Sequence, residues 1–390
     1  MKRKMWKRVM AVSMVSMLAL SLWGCDSGQE PAETTETTET TEATDDAAAE
    51  TEESQDEQST AAGGLSELYA SIPDEAQYVA LDELPELQAN EEYTIGCAMT
   101  NVSTGWFKAL YDNLQAELAG AGVNVLLVEC NDDANEQVNQ IENFIAQGVD
   151  AIIINPANPQ ETVTAVLEDV CAAGIPVVAV DVPPEEGAQY LTACVTDAYQ
   201  LGYMVGEELA TRLLEMYPEG EIEYGMIGGT DGNSIAASRN QGARDAIAAV
   251  DTEGRIVEAT FLYAGDYSEE SGLVTAQNML AANQNLKCII GTCDAHIVGA
   301  TSAAEQLGLE DNLIMGAVDG SKAAFEIMKE GGPIVALGLN SPYEVGEAAG
   351  RVLLGYLNDG TLPASKTLQM SPTLVTPDNV DDYYDPNSAW

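Results

Sequence analysis

Histidine occurs once in 390 residues, at His296. A multi-histidine metal centre is therefore excluded, and any Ser-His-Asp arrangement would have to use that one residue. No Cys-x-x-Cys pair is present, so neither a zinc ribbon nor a dithiol redox motif is supported. Basic residues are also few: 15 Lys and Arg stand against 64 Asp and Glu, a formal charge of −49. A surface so negative repels phosphate backbones, which removes nucleic acid as a partner. Nucleotide cradles are missing as well. No G-x-G-x-x-G follows an apolar run, and no G-x-x-x-x-G-K-[ST] occurs. The glycine-rich GGTDGNS (Gly228–Ser234) has neither spacing and reads as a turn in which Asn233 or Ser234 caps the next helix. No cofactor and no metal are expected.

What is present is ample apolar material: 46% of residues are hydrophobic, enough to build a full core without staples. The chain is long enough for two domains and additional segments. Of seven cysteines, Cys97, Cys130, Cys171, Cys194, Cys288 and Cys293 mostly sit inside apolar runs and read as buried free thiols rather than disulfides. The seventh, Cys25, ends an N-terminal leader. MKRKMWKR is a positive n-region and Val9–Leu22 an apolar h-region too short to span a bilayer comfortably. The closing Leu22-Trp23-Gly24-Cys25 resembles a bacterial lipobox, which implies cleavage after residue 24 and lipidation of Cys25. Residues 26–63 are nearly pure Thr, Glu, Ala, Asp and Ser. They cannot bury enough surface to offset ordering entropy, and their charges extend them, so 25–63 reads as a lipidated cysteine and disordered acidic tether. Residues 64–91 are a lead-in with no clear role.

From Tyr93 a new grammar begins, opening with YTIGCAMTNVSTGWFKAL: an apolar run, a polar turn at Asn101–Gly105, then Trp106 and Phe107 at the start of a helical pattern. Strand-like runs at Tyr93–Met99, Val123–Val128, Ala151–Asn155, Pro176–Asp181 and Tyr190–Thr196 alternate with helical stretches near Trp106–Ala119, Asn135–Gln147 and Gln160–Ala173. A second series follows, with strands Ile222–Ile227, Arg255–Tyr263, Cys288–Gly291, Leu313–Asp319 and Ile334–Leu339. A long helix (Ser341–Asn358) and one terminal strand (about Leu368–Val375) complete it. The spacers suit crossovers rather than hairpins, so the fold class is α/β: two similar, doubly wound, parallel-sheet lobes.

In open parallel sheets, ligands bind beyond the carboxyl ends of the strands. Polar residues recur at those ends: Asn155, Asp181, Asp319 and Asn340, with Arg239 one turn into the helix after GGTDGNS. Carboxylate, amide and guanidinium make a neutral hydrogen-bonding set suited to adjacent hydroxyls. Trp106, Phe107 and Tyr267 add flat faces that pack against the CH faces of a sugar ring. Each residue has a structural alternative. Strand-end Asp and Asn start turns or cap helices, a role assigned to Asp197 and Asp294. Arg239 could be a surface ion-pair partner, and the two aromatics could be ordinary core.

Residues 92–376 resemble the type I periplasmic sugar-binding proteins of the ribose-binding family, the solute receptors of ABC importers. The resemblance rests on the lipobox, the order of elements, and IIINPAN (Ile152–Asn158), IPVVAVD (Ile175–Asp181), AVDG (Ala317–Gly320) and LNSPYEVG (Leu339–Gly346). It implies ligand contacts at Thr104, Trp106, Phe107, Asn155, Asp181, Arg239, Tyr267, Asp319 and Asn340, with Asn101, Thr196 and Cys293 as further candidates. The family usually has an amide where this chain has Cys293 and often an arginine where it has Val182. A pocket with fewer arginines suits a different pentose, a hexose, a deoxy sugar or a cyclitol. The resemblance also implies three hinge crossings, near Thr196–Asp197, Asn340–Ser341 and 366–370. The N-lobe is then 92–196 with 341–367, and the C-lobe 197–340 with 368–390.

The expected function is a monomeric, membrane-anchored receptor that closes two lobes around a neutral monosaccharide and delivers it to the membrane subunits of an ABC permease. A sugar or furanosyl-signal sensor for a receptor kinase would use the same pocket. A secreted sugar-processing enzyme would need an acid/base pair, for which Asp181 with Asp319 is the plausible choice. A repressor of this fold is disfavoured, because the leader and tether stand where a DNA-binding head would be.

Overall fold

A strand covered on both faces needs no polar alternation. Ala151–Ile154 and Val177–Val180 are apolar and buried at every position. The computed structural model describes residues 64–390 apart from 103, 104, 159 and 389. The expectations for the leader, Cys25, the tether and Thr104 lie outside the described residues.

The described residues begin with a helical segment α1 (64–71) and strand β1 (Gln77–Val79). The first alternating series is β2 (Thr94–Met99), α2 (Gly105–Gly120), β3 (Asn124–Glu129), α3 (Ala134–Gln147), β4 (Ala151–Ile154), α4 (Gln160–Ala172), β5 (Val177–Val180) and β6 (Thr192–Thr196). The second begins with α5 (Ala198–Met216), β7 (Ile222–Gly228), α6 (Ser234–Val250), β8 (Ile256–Tyr263) and α7 (Glu269–Ala282). It continues with β9 (Cys288–Gly291), α8 (Asp294–Leu307), β10 (Ile314–Asp319), α9 (Lys322–Lys329) and β11 (Ile334–Leu339). The chain closes with α10 (Pro342–Asp359), β12 (Thr367–Met370) and β13 (Leu374–Val375).

These strands form two sheets, one per lobe. The N-lobe sheet runs β1-β12-β6-β5-β4-β2-β3 and is parallel throughout. The C-lobe sheet runs β13-β11-β10-β9-β7-β8, parallel except for the β13 edge. Helix α10 returns to pack on α2, β5 and β6, whereas α5 packs on β10 and β11. The chain therefore passes between the two sheets after Thr196 and after Leu339.

The third passage differs from expectation. Leu368–Val375 is not one C-lobe strand but two short strands in different sheets. Leu368 and Met370 alternate into the N-lobe core, while Leu374 and Val375 join the C-lobe cores. Ser371–Thr373, with Pro372 at its centre, separates them, so the crossing lies at 371–373 and residues 368–370 belong to the N-lobe. The lead-in also acquires a role. Leu65, Tyr69 and Ile72 are buried in the N-lobe core, and β1 lies beside β12 as the outermost strand.

Caps fix the helix entries on the cleft side. Asp197 accepts from Gln200 N at 2.9 Å and Asn233 from Ala236 N at 2.8 Å, as expected. Asp294 does not cap. The cap position of α8 is Cys293, and the Asp294 carboxylate instead accepts from the N–H groups of Gly320 and Ser321. One close approach places the C-lobe arginine. A Cβ at Gly202 of α5 would collide with the backbone carbonyl of Arg239 on α6, so glycine is what allows α6 to lie this close. The six described cysteines are all free and buried.

Candidate ligand-binding site between the lobes

The carboxyl ends of both sheets face a cavity of about 510 Å³. The N-lobe contributes Trp106, Phe107 and Asp181; the C-lobe contributes Arg239, Tyr267, Cys293 and Asp319; Asn340 stands at the second crossing. Eight of the sequence-derived candidates are thus brought together on one cavity.

Trp106 and Phe107 occupy the first turn of α2. They meet edge to face with ring centroids 5.2 Å apart, and Phe107 stacks on Tyr111 at 5.9 Å. Both reach the cavity although they are adjacent in sequence. The Trp106 indole N–H donates to the Asn340 carbonyl at 2.8 Å, which ties this aromatic wall to the hinge. Asp181 and Asp319 each hold a positive φ, +69° and +117°. Such a backbone is costly for residues with a Cβ and tends to be kept at ligand sites.

The C-lobe wall is organised by Arg239. Its Nη2 lies 3.0 Å from Asp319 Oδ1 and its Nη1 donates to the Thr292 carbonyl at 3.1 Å, while its Nε is buried without a partner. Asn340 Nδ2 donates to the same Asp319 oxygen at 2.9 Å, and Thr196 Oγ1 donates to Asn340 Oδ1 at 2.9 Å. Asp319 is thereby fixed from both sides of the hinge. Tyr267 stacks on His296 with centroids 5.9 Å apart. His296 Nε2 lies 2.7 Å from the Asp266 carbonyl, which can only accept, so the ring proton sits on Nε2. Burial lowers the His296 pKa and keeps the ring neutral, so it serves as a platform for Tyr267.

The electrostatic character is acidic. Burial pushes Asp181 up to about 6, with Arg239 opposing the shift and Asp319 adding to it. Burial likewise raises Asp294 to about 6, and the nearby Asp319 carboxylate adds to it. Burial holds the Cys293 thiol well above its ordinary value, reinforced by Asp319 and Asp294, which makes it a poor nucleophile. Asp266 and Glu269 also line the cavity, and Arg239 is the one cation among its described lining residues. The neutral set expected from sequence is therefore incomplete: carboxylates are in excess. Such a lining disfavours anions and presents acceptors to hydroxyl donors. Among the described residues no group of three or more His, Cys, Asp or Glu side chains is arranged to hold a metal ion.

Three candidates lie elsewhere. Asn155 is 2% exposed and sits behind the lining. Its Oδ1 accepts from Thr100 Oγ1 at 2.5 Å, and its Nδ2 donates to the Val180 carbonyl at 3.2 Å, with Asp181 Oδ2 at 3.5 Å. Its amide is consumed in holding the β5 end, so it supports Asp181 rather than lining the cavity. Thr196 is spent on Asn340. Asn101 donates to the carboxylate of Asp132, at 2.9 and 2.7 Å to its two oxygens. Conversely, sequence reasoning passed over Asn233, Asp294, Ser268, Thr292 and Trp390, which also line the cavity. Asn233 and Asp294 were assigned to capping alone, although their position after C-lobe strands was the available signal. Trp390 carries none.

A family model described as a periplasmic binding protein domain matches residues 95–361. The chain is 28% identical over 240 residues to the ribose import binding protein of Bacillus subtilis, covering 62% of this chain and 74% of that protein. It is 26% identical over 298 residues to the galactofuranose-binding protein of Escherichia coli, covering 74% and 89%. Among solved structures, the ABC transporter periplasmic solute-binding protein of Actinobacillus succinogenes with bound D-allose superposes with a TM-score of 0.67 at 22% identity, covering 75% of this chain and 100% of that one. With a match spanning more than half its length, the chain belongs to the periplasmic binding protein domain family, and its two lobes have the type I fold of that family's sugar-binding members.

Proposed function

We propose that this chain captures a neutral monosaccharide of pentose or hexose size between its lobes and delivers it to the membrane subunits of an ABC permease, without performing chemistry. One observation carries the reading. Aromatic faces from the N-lobe oppose a fixed carboxylate–guanidinium–amide network on the C-lobe side and hinge, across one shared cavity. An aromatic wall accepts the CH face of a ring, and Asp181, Asp319 and Arg239 engage its hydroxyls. Because both lobes contribute, a ligand that touches both favours closure, and closure is what a permease can recognise. The names of the similar proteins, ribose, galactofuranose and D-apiose binders, fit this class.

In the same reading the chain is exported, Cys25 carries the lipid anchor and the acidic tether holds a monomeric receptor off the membrane. Among the described residues no helix is long and apolar enough to cross a bilayer. The test is a thermal-shift panel of neutral pentoses, hexoses and cyclitols on the purified chain, followed by calorimetry of any hit. Micromolar or tighter binding of one such ring is expected. Absence of any hit, or turnover of a glycoside by the pure protein, would overturn the proposal. Anchoring is read separately, by mass spectrometry of membrane-fraction protein before and after Cys25→Ser.

A further inference from the structure

The ligand cavity has a neighbour. A second space, also about 510 Å³, lies past the β10–α9 and β11–α10 junctions, lined by Lys322, Tyr343, Glu344, Asp385, Asn387 and Ser388 among others. Among the described residues, Trp390 is the one that lines both spaces.

Its position is held from two directions. The segment that carries it is fastened to the C-lobe along α9. There Lys322 Nζ donates to the Pro386 carbonyl at 2.6 Å, and Tyr384 OH donates to Glu326 at 3.1 Å. Lys329 pairs with Asp381 and lies 4.8 Å over the Tyr384 ring. The indole itself rests against N-lobe elements. Its centroid is 6.5 Å from that of Tyr343 on α10, edge to face, and a Cβ at Gly105 of α2 would lie 3.3 Å from its Cδ1. Ser388 Oγ lies 3.0 Å from Tyr343 OH and accepts from the Trp390 N–H at 3.2 Å. A C-lobe strap thus delivers an aromatic plate to the N-lobe side of the cleft, between two cavities.

We propose that Trp390 is a partition that sets ligand size: it walls the ligand cavity off from the second space and so restricts binding to a single ring. This rests on the monosaccharide reading above. On the near side the indole offers another stacking face to that ring. On the far side the charged and amide groups of the second space offer hydrogen-bonding partners to a second ring attached to the first, with the indole lining both spaces at their meeting point. Specificity of this kind is exclusion by a placed obstacle. Removing the obstacle joins the two spaces.

The experiment is calorimetry on the full chain and its Trp390→Ala and Trp390→Phe variants. The single-ring probes are D-ribose, D-allose, D-galactose and myo-inositol; the two-ring probes are lactose, maltose and trehalose. The original chain is expected to bind a single ring and no disaccharide; Trp390→Phe is expected to bind that ring more weakly, through its smaller face, and still no disaccharide. Trp390→Ala is expected to bind that ring about tenfold more weakly, from the lost stacking face, and to take up at least one disaccharide. If Trp390→Ala takes up no disaccharide, the partition is overturned. If the unmodified chain binds none of the single rings, the monosaccharide reading fails. The partition is then decided without ligand by hydrogen exchange. Faster exchange across residues 105–112 and 343–346 in Trp390→Ala than in Trp390→Phe supports it, and equal exchange overturns it.

Discussion

Asp181 should show opposite effects on stability and affinity when its charge is removed. Its carboxyl is raised from 3.8 to about 6, first by burial and then by Asp319, against the pull of Arg239. A carboxyl with a raised folded pKa binds more protons folded than unfolded between those two values. Stability therefore falls as pH rises through that window, and the penalty is complete above it. A displacement of roughly two pH units corresponds to ~3 kcal/mol. Because the cavity admits water, screening leaves roughly half of that, ~1–2 kcal/mol. Asp181→Asn removes the charge at nearly constant shape, and asparagine tolerates the positive φ of +69° as well as aspartate does. The ligand-free variant should melt about 2–4 °C higher at pH 7.5, with the gap closing near pH 4. At the same time it should bind the ligand ~10–100-fold more weakly, having lost a charged acceptor for hydroxyls. Thermal unfolding from pH 4 to 8, paired with calorimetry, measures both. A variant no more stable than the original at pH 7.5, or equally shifted at pH 4, would refute the reasoning.

Other residues give further tests. Arg239→Lys keeps the charge but loses the fork shared between Asp319 and the Thr292 carbonyl, so calorimetry should show at least about tenfold weaker binding with the protein still folded. Gly202→Ala puts a methyl group into the Arg239 carbonyl; denaturant titration should show a loss of ~1–3 kcal/mol, with weaker ligand binding because α6 carries the arginine. The six internal thiols are buried and free, so a thiol reagent should label none of them promptly in native, delipidated protein and all six in denaturant.

The sequence made the alternation visible because parallel strands buried on both faces are continuous apolar runs. Cys288–Gly291 and Ile334–Leu339 coincide with the observed strands for that reason. Strand-end polarity located Asp181, Asp319 and Asn340 because a buried parallel sheet leaves little other reason for a charge to follow such a run. What was not legible depends on pairing between distant segments. Asn155 looks like Asp181 in sequence, and only the contacts with Thr100 and Val180 show that its amide is already used. Asp294 looked like a cap, but the turn at Gly320 and Ser321 claims its carboxylate. β1 is three residues with a mostly exposed pattern, so no periodicity announces it. The division of 368–375 between two sheets turns on which core each alternate side chain meets, which local propensity does not encode.

The placement of β12 has a consequence for how the molecule assembles. In the N-lobe sheet it lies between β6 and β1, so β1, the first strand among the described residues, has no strand partner until residues 367–370 arrive. Closing that gap spans residues 80–366, a long loop whose entropy must be met before the pairing repays it. The strands β2 to β6 of the N-lobe and β7 to β11 of the C-lobe, by contrast, each come from one uninterrupted stretch. The N-lobe sheet therefore lacks its β12 and β1 edge until β12 inserts, after every C-lobe strand except β13 has been made. A destabilising change at Leu368 should accordingly slow the final phase of refolding while leaving the earlier phase untouched.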